Sequence, residues 1–242
     1  MMNEQNMLEV RNLTKHFKVG SKQIVHAVDG VSFTLKKGKT LGLVGESGCG
    51  KSTCARTIIR MYAPTSGQIL LNGEDITELK QKQLKSYRKN MQMIFQDPYA
   101  SLNARMTVRD IIAEPLIAHG VVRKKEDANE LIYPMLERVG LTKEHSGRYA
   151  HEFSGGQRQR LTIARALVRK PEILIMDDSA SALDFATDAR LRKAIKERTQ
   201  DMTVFIVSQR ATTIRNADQI VVLDDGAMVG CGTHKELFEN CE

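Results

Sequence analysis

Hydrophobic and polar positions alternate with a period of two over residues 8–19 and 26–35, which read as strands joined by a turn at Gly20-Ser21. Residues 40–44 form a short apolar strand followed by a glycine-rich turn. A helix starts near Gly50 and carries Cys54, Ile58 and Ile59 inward. Residues 67–71 and 91–95 are further strands. From about 97 to 152 the period becomes helical, with helices at 108–116 and 126–139, the second ended by Gly140. A helix at 154–168 follows, then strand 173–176, helix 185–197, strand 203–207 and strand 219–223. Strands alternating with helices predict an α/β fold, a mostly parallel sheet with helices on both faces. The central helical stretch reads as an insertion between two core strands.

No apolar run approaches the roughly 18 to 20 residues that cross a bilayer. The start, MMNEQNMLEV, has no charged-then-apolar leader, so a cytosolic protein is expected. The 242 residues are 41% hydrophobic and 27% charged, enough for one large domain with a sizeable core. The net charge of +7 concentrates in part at Lys80, Lys82, Lys85, Arg88 and Lys89. That cluster reads as a solvated helix face or as a contact for lipid headgroups or nucleic acid. Cys49, Cys54, Cys231 and Cys241 show no metal spacing, so free thiols are expected.

Three motifs carry chemistry. Gly45-Glu46-Ser47-Gly48-Cys49-Gly50-Lys51-Ser52-Thr53 fits GxxxxGK[ST] and stands between a strand and a helix. Its glycines let backbone N–H groups converge on phosphate oxygens, and the helix N-terminus adds partial positive charge. Lys51 is expected on the β- and γ-phosphates and the Ser52 hydroxyl on Mg²⁺. Cys49, beside Lys51 at the start of the helix, is expected to be a reactive thiol. The apolar strand 173–176 runs into Asp177, placing a carboxylate at the strand end where α/β sheets bind ligands, suited to Mg²⁺. Asp178 follows, placed either to polarise an attacking water or to cap a loop. Ser154-Gly155-Gly156-Gln157 makes an S-x-x-Q capping box. Two glycines in a first helical turn cost stability, which makes sense if a phosphate approaches closely.

The constellation resembles the ATP-binding cassette (ABC) ATPases over essentially the whole chain. FSGGQ at 153–157 is similar to the family signature. Gln96 matches the loop glutamine that senses Mg²⁺ and contacts the transmembrane partner. Ser181 to Asp184, SALD, matches the loop after the second carboxylate, and Phe17 sits where the family stacks an aromatic on adenine. The resemblance implies a P-loop (RecA-like) core at about 1–96 and 158–242, an antiparallel β-subdomain and a helical subdomain inserted at about 97–157. It implies ATP and Mg²⁺ as ligands, and Asp178, Gln209 and Gln96 as catalytic positions. It implies head-to-tail pairing, with Ser154, Gly155, Gly156 and Gln157 facing the ATP of a second nucleotide-binding subunit. Permease subunits in the membrane are the other expected partners. The expected place is the cytoplasmic face of the membrane, with no nucleic acid bound.

Residues 1 to about 160 resemble the ATPases of oligopeptide and dipeptide importers. Residues from about 161 to 242 resemble nucleotide-binding domains of heterodimeric exporters, in the half with the weakened site. By that resemblance, the cysteine-bearing C-terminal extension of many peptide-importer ATPases is not expected here. Two departures bear on rate. Asp178 stands where the family has Glu, retracting the carboxylate by about 1 Å, a misplacement that can cost on the order of 100-fold. Gln209 replaces the family's switch His; it still donates a hydrogen bond but cannot become cationic. Binding is expected to survive both changes and hydrolysis to slow. The rival readings are an exporter domain, a chromosome or repair ATPase of the same fold, and a non-hydrolysing sensor. The second is disfavoured because no sustained heptads lie between Lys51 and Ser154.

Overall fold

A computed structural model describes residues 5–20, 23–178 and 202–240. Among these, two sheets carry the chain. Strands β1 (Asn6–Val19), β2 (Gln23–Lys36), β4 (Ser66–Leu71) and β5 (Glu74–Asp75) form an antiparallel sheet in the order β2-β1-β4-β5. Strands β3 (Thr40–Val44), β6 (Met91–Ile94), β7 (Ile173–Asp177), β8 (Thr203–Val207), β9 (Gln219–Asp224) and β10 (Ala227–Gly232) form the second sheet, in the order β10-β9-β3-β8-β7-β6. Its pairs are parallel except β9 with β10.

The parallel strands are buried on both faces, which is why they read as continuous apolar runs. Ile173 and Ile175 of β7, Phe205 of β8 and Leu41 and Leu43 of β3 share a core with the antiparallel sheet and with helix α1 (Lys51–Ile58). Leu174, Met176 and Val204 point the other way and pack against Ile163 and Ala166 of helix α6 (Gly155–Leu167).

Between the neighbouring strands β6 and β7 the chain builds a helical layer. After α2 (Gln81–Asn90) and β6 come α3 (Pro98–Ser101), α4 (Val108–Ala118), α5 (Asn129–Arg138) and then α6. Ile111, Ile112 and Leu116 of α4, Ile132 and Leu136 of α5, and Leu161 and Ala164 of α6 make a separate apolar cluster. Helix α6 therefore buries one stripe in this layer and another against the sheet. Two short helices, α7 (Ala211–Ile214) and α8 (His234–Asn240), follow β8 and β10.

The structure adds elements that the periodicity missed: β5, β10, α7 and α8 are short and carry little apolar pattern. The basic cluster lies on and beside α2, whose one buried side chain is Leu84. The expected helix 185–197, Ser181, Asp184 and Cys241 lie outside the described residues.

Candidate functional site

The loop from β3 to α1 is built around two glycines, Gly45 and Gly50, that leave no room for a side chain. Gly50 caps α1 with φ of 99°, and a Cβ there would stand 1.9 Å from the carbonyl oxygen of Ala27. Gly45 is equally confined, with a Cβ position 2.1 Å from Leu223 O. The loop is thereby pressed between β2 and the end of β9. The 225–226 turn braces it: Gly226 N–H donates to Cys49 O (3.1 Å) and Asp29 N–H donates to Gly226 O (2.8 Å).

Lys51 is buried, and its ammonium turns back into the loop, donating to the carbonyl oxygens of Gly45 (2.9 Å) and Glu46 (2.5 Å). Its Nζ also lies 3.7 Å from Cys49 Sγ. Cys49 is 7% exposed and packs beneath Gly45. The expectation of a reactive thiol fails on access: the folded loop covers the sulfur that its sequence position would activate. Cys54 is fully enclosed, and burial pushes its thiol up to about 12.

Ser52 and Asp177 meet across the sheet edge, Ser52 Oγ donating to Asp177 Oδ1 at 2.7 Å. Asp177 is inaccessible to solvent and also accepts from Arg56 Nη2 at 3.3 Å. A hydroxyl and a carboxylate are hard oxygen donors, so the pair fits a Mg²⁺ ion held jointly with substrate phosphates. Asp178, the next residue, has φ of 42°, and its N–H is held by Val207 O at 2.9 Å. Burial raises the pKa of its carboxyl and Asp177 adds to the rise, while Arg210 and Lys51 oppose it.

These elements open on one cavity of about 300 Å³. Ser47, Gly48, Gly50, Lys51, Ser52 and Thr53 form its floor; Gln96, Asp178 and Gln209 reach it from the ends of β6, β7 and β8. Val25, His26, Ala27, Val207, Asp225 and Gly226 supply the remaining wall, and sequence reasoning missed them as site residues. Backbone of a hairpin and a tight turn carries no motif.

Phe17 is half-buried in β1, edge-on to Tyr62 with centroids 5.4 Å apart and with Lys15 Nζ 4.8 Å from its ring centre. It does not line the cavity; its cross-strand partner Val25 does. Ser154 is exposed and caps α6. Its N–H donates to Gln157 Oε1 (3.0 Å) and Gln157 N–H donates to its Oγ (3.4 Å). Neither it nor Gly155, Gly156 or Gln157 lines the cavity.

A strand-end carboxylate bonded to the hydroxyl of a glycine-loop lysine-serine pair is a phosphate-binding arrangement, and residues 28–181 match the family described as ABC transporter. This chain belongs to that family. It is 47% identical to the oligopeptide transport ATP-binding protein AppF of Bacillus subtilis, over 98% of this chain and 75% of that protein. It is also 47% identical to OppF of the same organism, an oligopeptide transport ATP-binding protein, over 98% of this chain and 78% of that one. Among solved structures, the dimeric ATP-binding cassette MJ0796, in a post-hydrolysis state with ADP and Pi, superposes with a TM-score of 0.87. That match has 27% identity and covers 94% of this chain and 98% of the other.

The ABC fold is thus the one built here, with its antiparallel sheet, mixed main sheet and helical layer. The match to the oligopeptide transport proteins runs through both the importer-like and the exporter-like stretches of the sequence. Among the described residues, no helix is long and apolar enough to cross a membrane.

Proposed function

We propose that this chain is the ATP-binding and ATP-hydrolysing subunit of an ABC transporter of the oligopeptide-importer type. The observation that carries the reading is the convergence of Lys51, Ser52, Gln96, Asp178 and Gln209 on one cavity at the end of the parallel sheet. The relatives named as oligopeptide transport ATP-binding proteins supply the substrate class.

The residues divide the work by their chemistry. The loop's backbone N–H groups and the α1 N-terminus bind the phosphate chain. Lys51 exchanges its bonds to Gly45 and Glu46 carbonyls for bonds to phosphate oxygens, which are stronger because both partners are charged. Ser52 and Asp177, with Gln96 from the same cavity, would hold Mg²⁺. Bound there, the ion would supply positive charge to neutralise the phosphate oxygens. Asp178 orients and deprotonates the attacking water, and Gln209 donates to the γ-phosphate. Phe17, the cross-strand partner of the cavity-lining Val25, stacks on adenine.

The signature at Ser154 to Gln157, which does not line its own chain's cavity, grips the ATP of a second nucleotide-binding subunit. Ser181 and Asp184, of the SALD stretch that matches the family, join that interface. Closure on ATP and opening after hydrolysis then drive permease subunits at the cytoplasmic face of the membrane. No nucleic acid takes part.

A second reading, the weakened half of a heterodimer, is favoured by one pair of residues, Asp178 and Gln209. Reconstitution separates the two. In vesicles holding the permease subunits and this chain, peptide uptake and phosphate release rise together under the first reading. Under the second, they rise only when a different nucleotide-binding subunit is added. Failure of both mixtures to take up peptides overturns the importer assignment.

A further inference from the structure

The β1–β2 hairpin carries a cluster of ligand-type side chains that the nucleotide chemistry leaves unused. His16 of β1 lies opposite His26 of β2, with imidazole centroids 3.8 Å apart. Three residues after His26, Asp29 closes the group: its Oδ1 is 3.7 Å from His16 Nε2 and its Oδ2 is 3.6 Å from His26 Nδ1. In a regular strand, residues three apart point to opposite faces. Here the register slips, since Lys15 pairs with Val28 while His16 pairs with His26, leaving Ala27 as an extra residue. That bulge brings His26 and Asp29 to the same side.

All three ligand atoms lie within 4.8 Å of one another. Ligands of a tetrahedral ion at about 2.0–2.2 Å stand roughly 3.3–3.6 Å apart, and each imidazole already lies close to that spacing from one of the two Asp29 oxygens. His16 Nε2 is shut off from solvent and has no hydrogen-bond partner, a cost that a bound cation removes. His26 and Asp29 are each more than half exposed, which leaves an entry path and room for water as a further ligand. Two imidazoles and a carboxylate suit zinc and its first-row neighbours, whereas Mg²⁺ and Ca²⁺ take oxygen ligands.

We propose that His16, His26 and Asp29 form a binding site for a divalent first-row transition-metal ion of the zinc class. The ion ties β1 to β2 on the wall of the nucleotide cavity. His26 and Ala27 line that cavity, and Asp29 is bonded through its backbone to Gly226, which lines it as well. Occupation therefore fixes the hairpin that carries Phe17 and its partner Val25.

The site is tested by equilibrium dialysis of the chelator-stripped full chain against Zn²⁺ at neutral pH. Cys231 and Cys241 are replaced by Ser to remove competing thiols, and millimolar Mg²⁺ with ADP fills the Ser52–Asp177 pair. One Zn²⁺ per chain is expected. His16→Gln removes that equivalent, weakening it by more than the roughly 10- to 100-fold that loss of a mere supporting partner costs. The exposed Asp29→Asn change is a second variant in case the first disturbs the hairpin, and circular dichroism reports the fold of both. Zn²⁺ also raises the melting temperature of the parent but not of a variant that has lost the ligand. No Zn²⁺ uptake by the parent, or equal uptake by the parent and two folded variants, overturns the proposal.

Discussion

The hydroxyl of Ser52, in the first turn of α1, lies 2.7 Å from Oδ1 of Asp177 at the end of β7, 125 positions along the chain. The two oxygens mark where the ion that accompanies ATP is to be held. Ser52→Ala removes one of them and leaves Lys51 and the loop backbone in place. ATP affinity measured with Mg²⁺ is expected to drop about ten-fold, while affinity measured with chelator present stays within about two-fold, since only the metal-linked contact is lost. Nucleotide titration under the two conditions reads the difference.

Gly50 sits with φ of 99° against Ala27 O. Gly50→Ala forces both a left-handed backbone on a non-glycine residue and an overlap with a strand carbonyl. A loss of about 2 kcal/mol or more is expected, which for a domain of this size lowers the melting temperature by about 4–8 °C. Gly48→Ala is a useful comparison: it has a positive φ of 88° but nothing within 4 Å of its Cβ position, so it should cost less.

Asp178 gives a pH dependence with a definite sign. In the unfolded chain its carboxyl loses its proton near the ordinary value of about 3.9. In the fold, burial first and Asp177 second hold the proton to higher pH. Between those two values the folded state binds more protons than the unfolded one, so this group's contribution falls as pH rises through the interval. Asp178→Asn is therefore expected to melt at a higher temperature than the parent at neutral pH. The gap closes in acid, below the unfolded value, and melting curves across pH read it directly. The acid limb of hydrolysis should lie above that of an ordinary carboxylate for the same reason.

If Asp178 and Gln209 set the rate, restoring the longer carboxylate should matter most. Asp178→Glu is expected to raise kcat about ten-fold or more, within the range of one positioned general base. Adding Gln209→His should raise it further with KM little changed, and the two gains should not simply add, because both act on one transition state. Steady-state phosphate release is the readout.

The signature lies off its own cavity, so ATP should promote pairing and ADP should not. Light scattering in saturating Mg-ATP is expected to give a dimer mass, and Ser154→Arg a monomer.

Much of the candidate site was legible because its chemistry is contiguous in sequence: the loop from Gly45 to Thr53 and the apolar run into Asp177 each declare themselves locally, as does the Ser154–Gln157 cap outside the cavity. The parallel strands were legible for the same reason, as short apolar runs ending in special residues. Strand order was not, since β3 pairs with β8 and β9 through contacts no local pattern records. Elements of two to seven residues, such as β5 and α8, carry too few apolar positions to show a period. The cavity wall from Val25 to Ala27 and at Asp225-Gly226 is mostly a matter of backbone approach, and the His16–His26–Asp29 group exists only because of a bulge. Cys49 shows the opposite failure: its sequence neighbours predict reactivity, but tertiary packing removes access.

The central claim, that this cavity takes the phosphates of ATP, rests most directly on Lys51. Equilibrium titration of Mg-ATP against the folded parent and Lys51→Ala tests it. The lost bonds from an ammonium to charged oxygens should weaken binding roughly 10- to 150-fold with the melting temperature nearly unchanged. Equal affinity in a folded Lys51→Ala protein would contradict it.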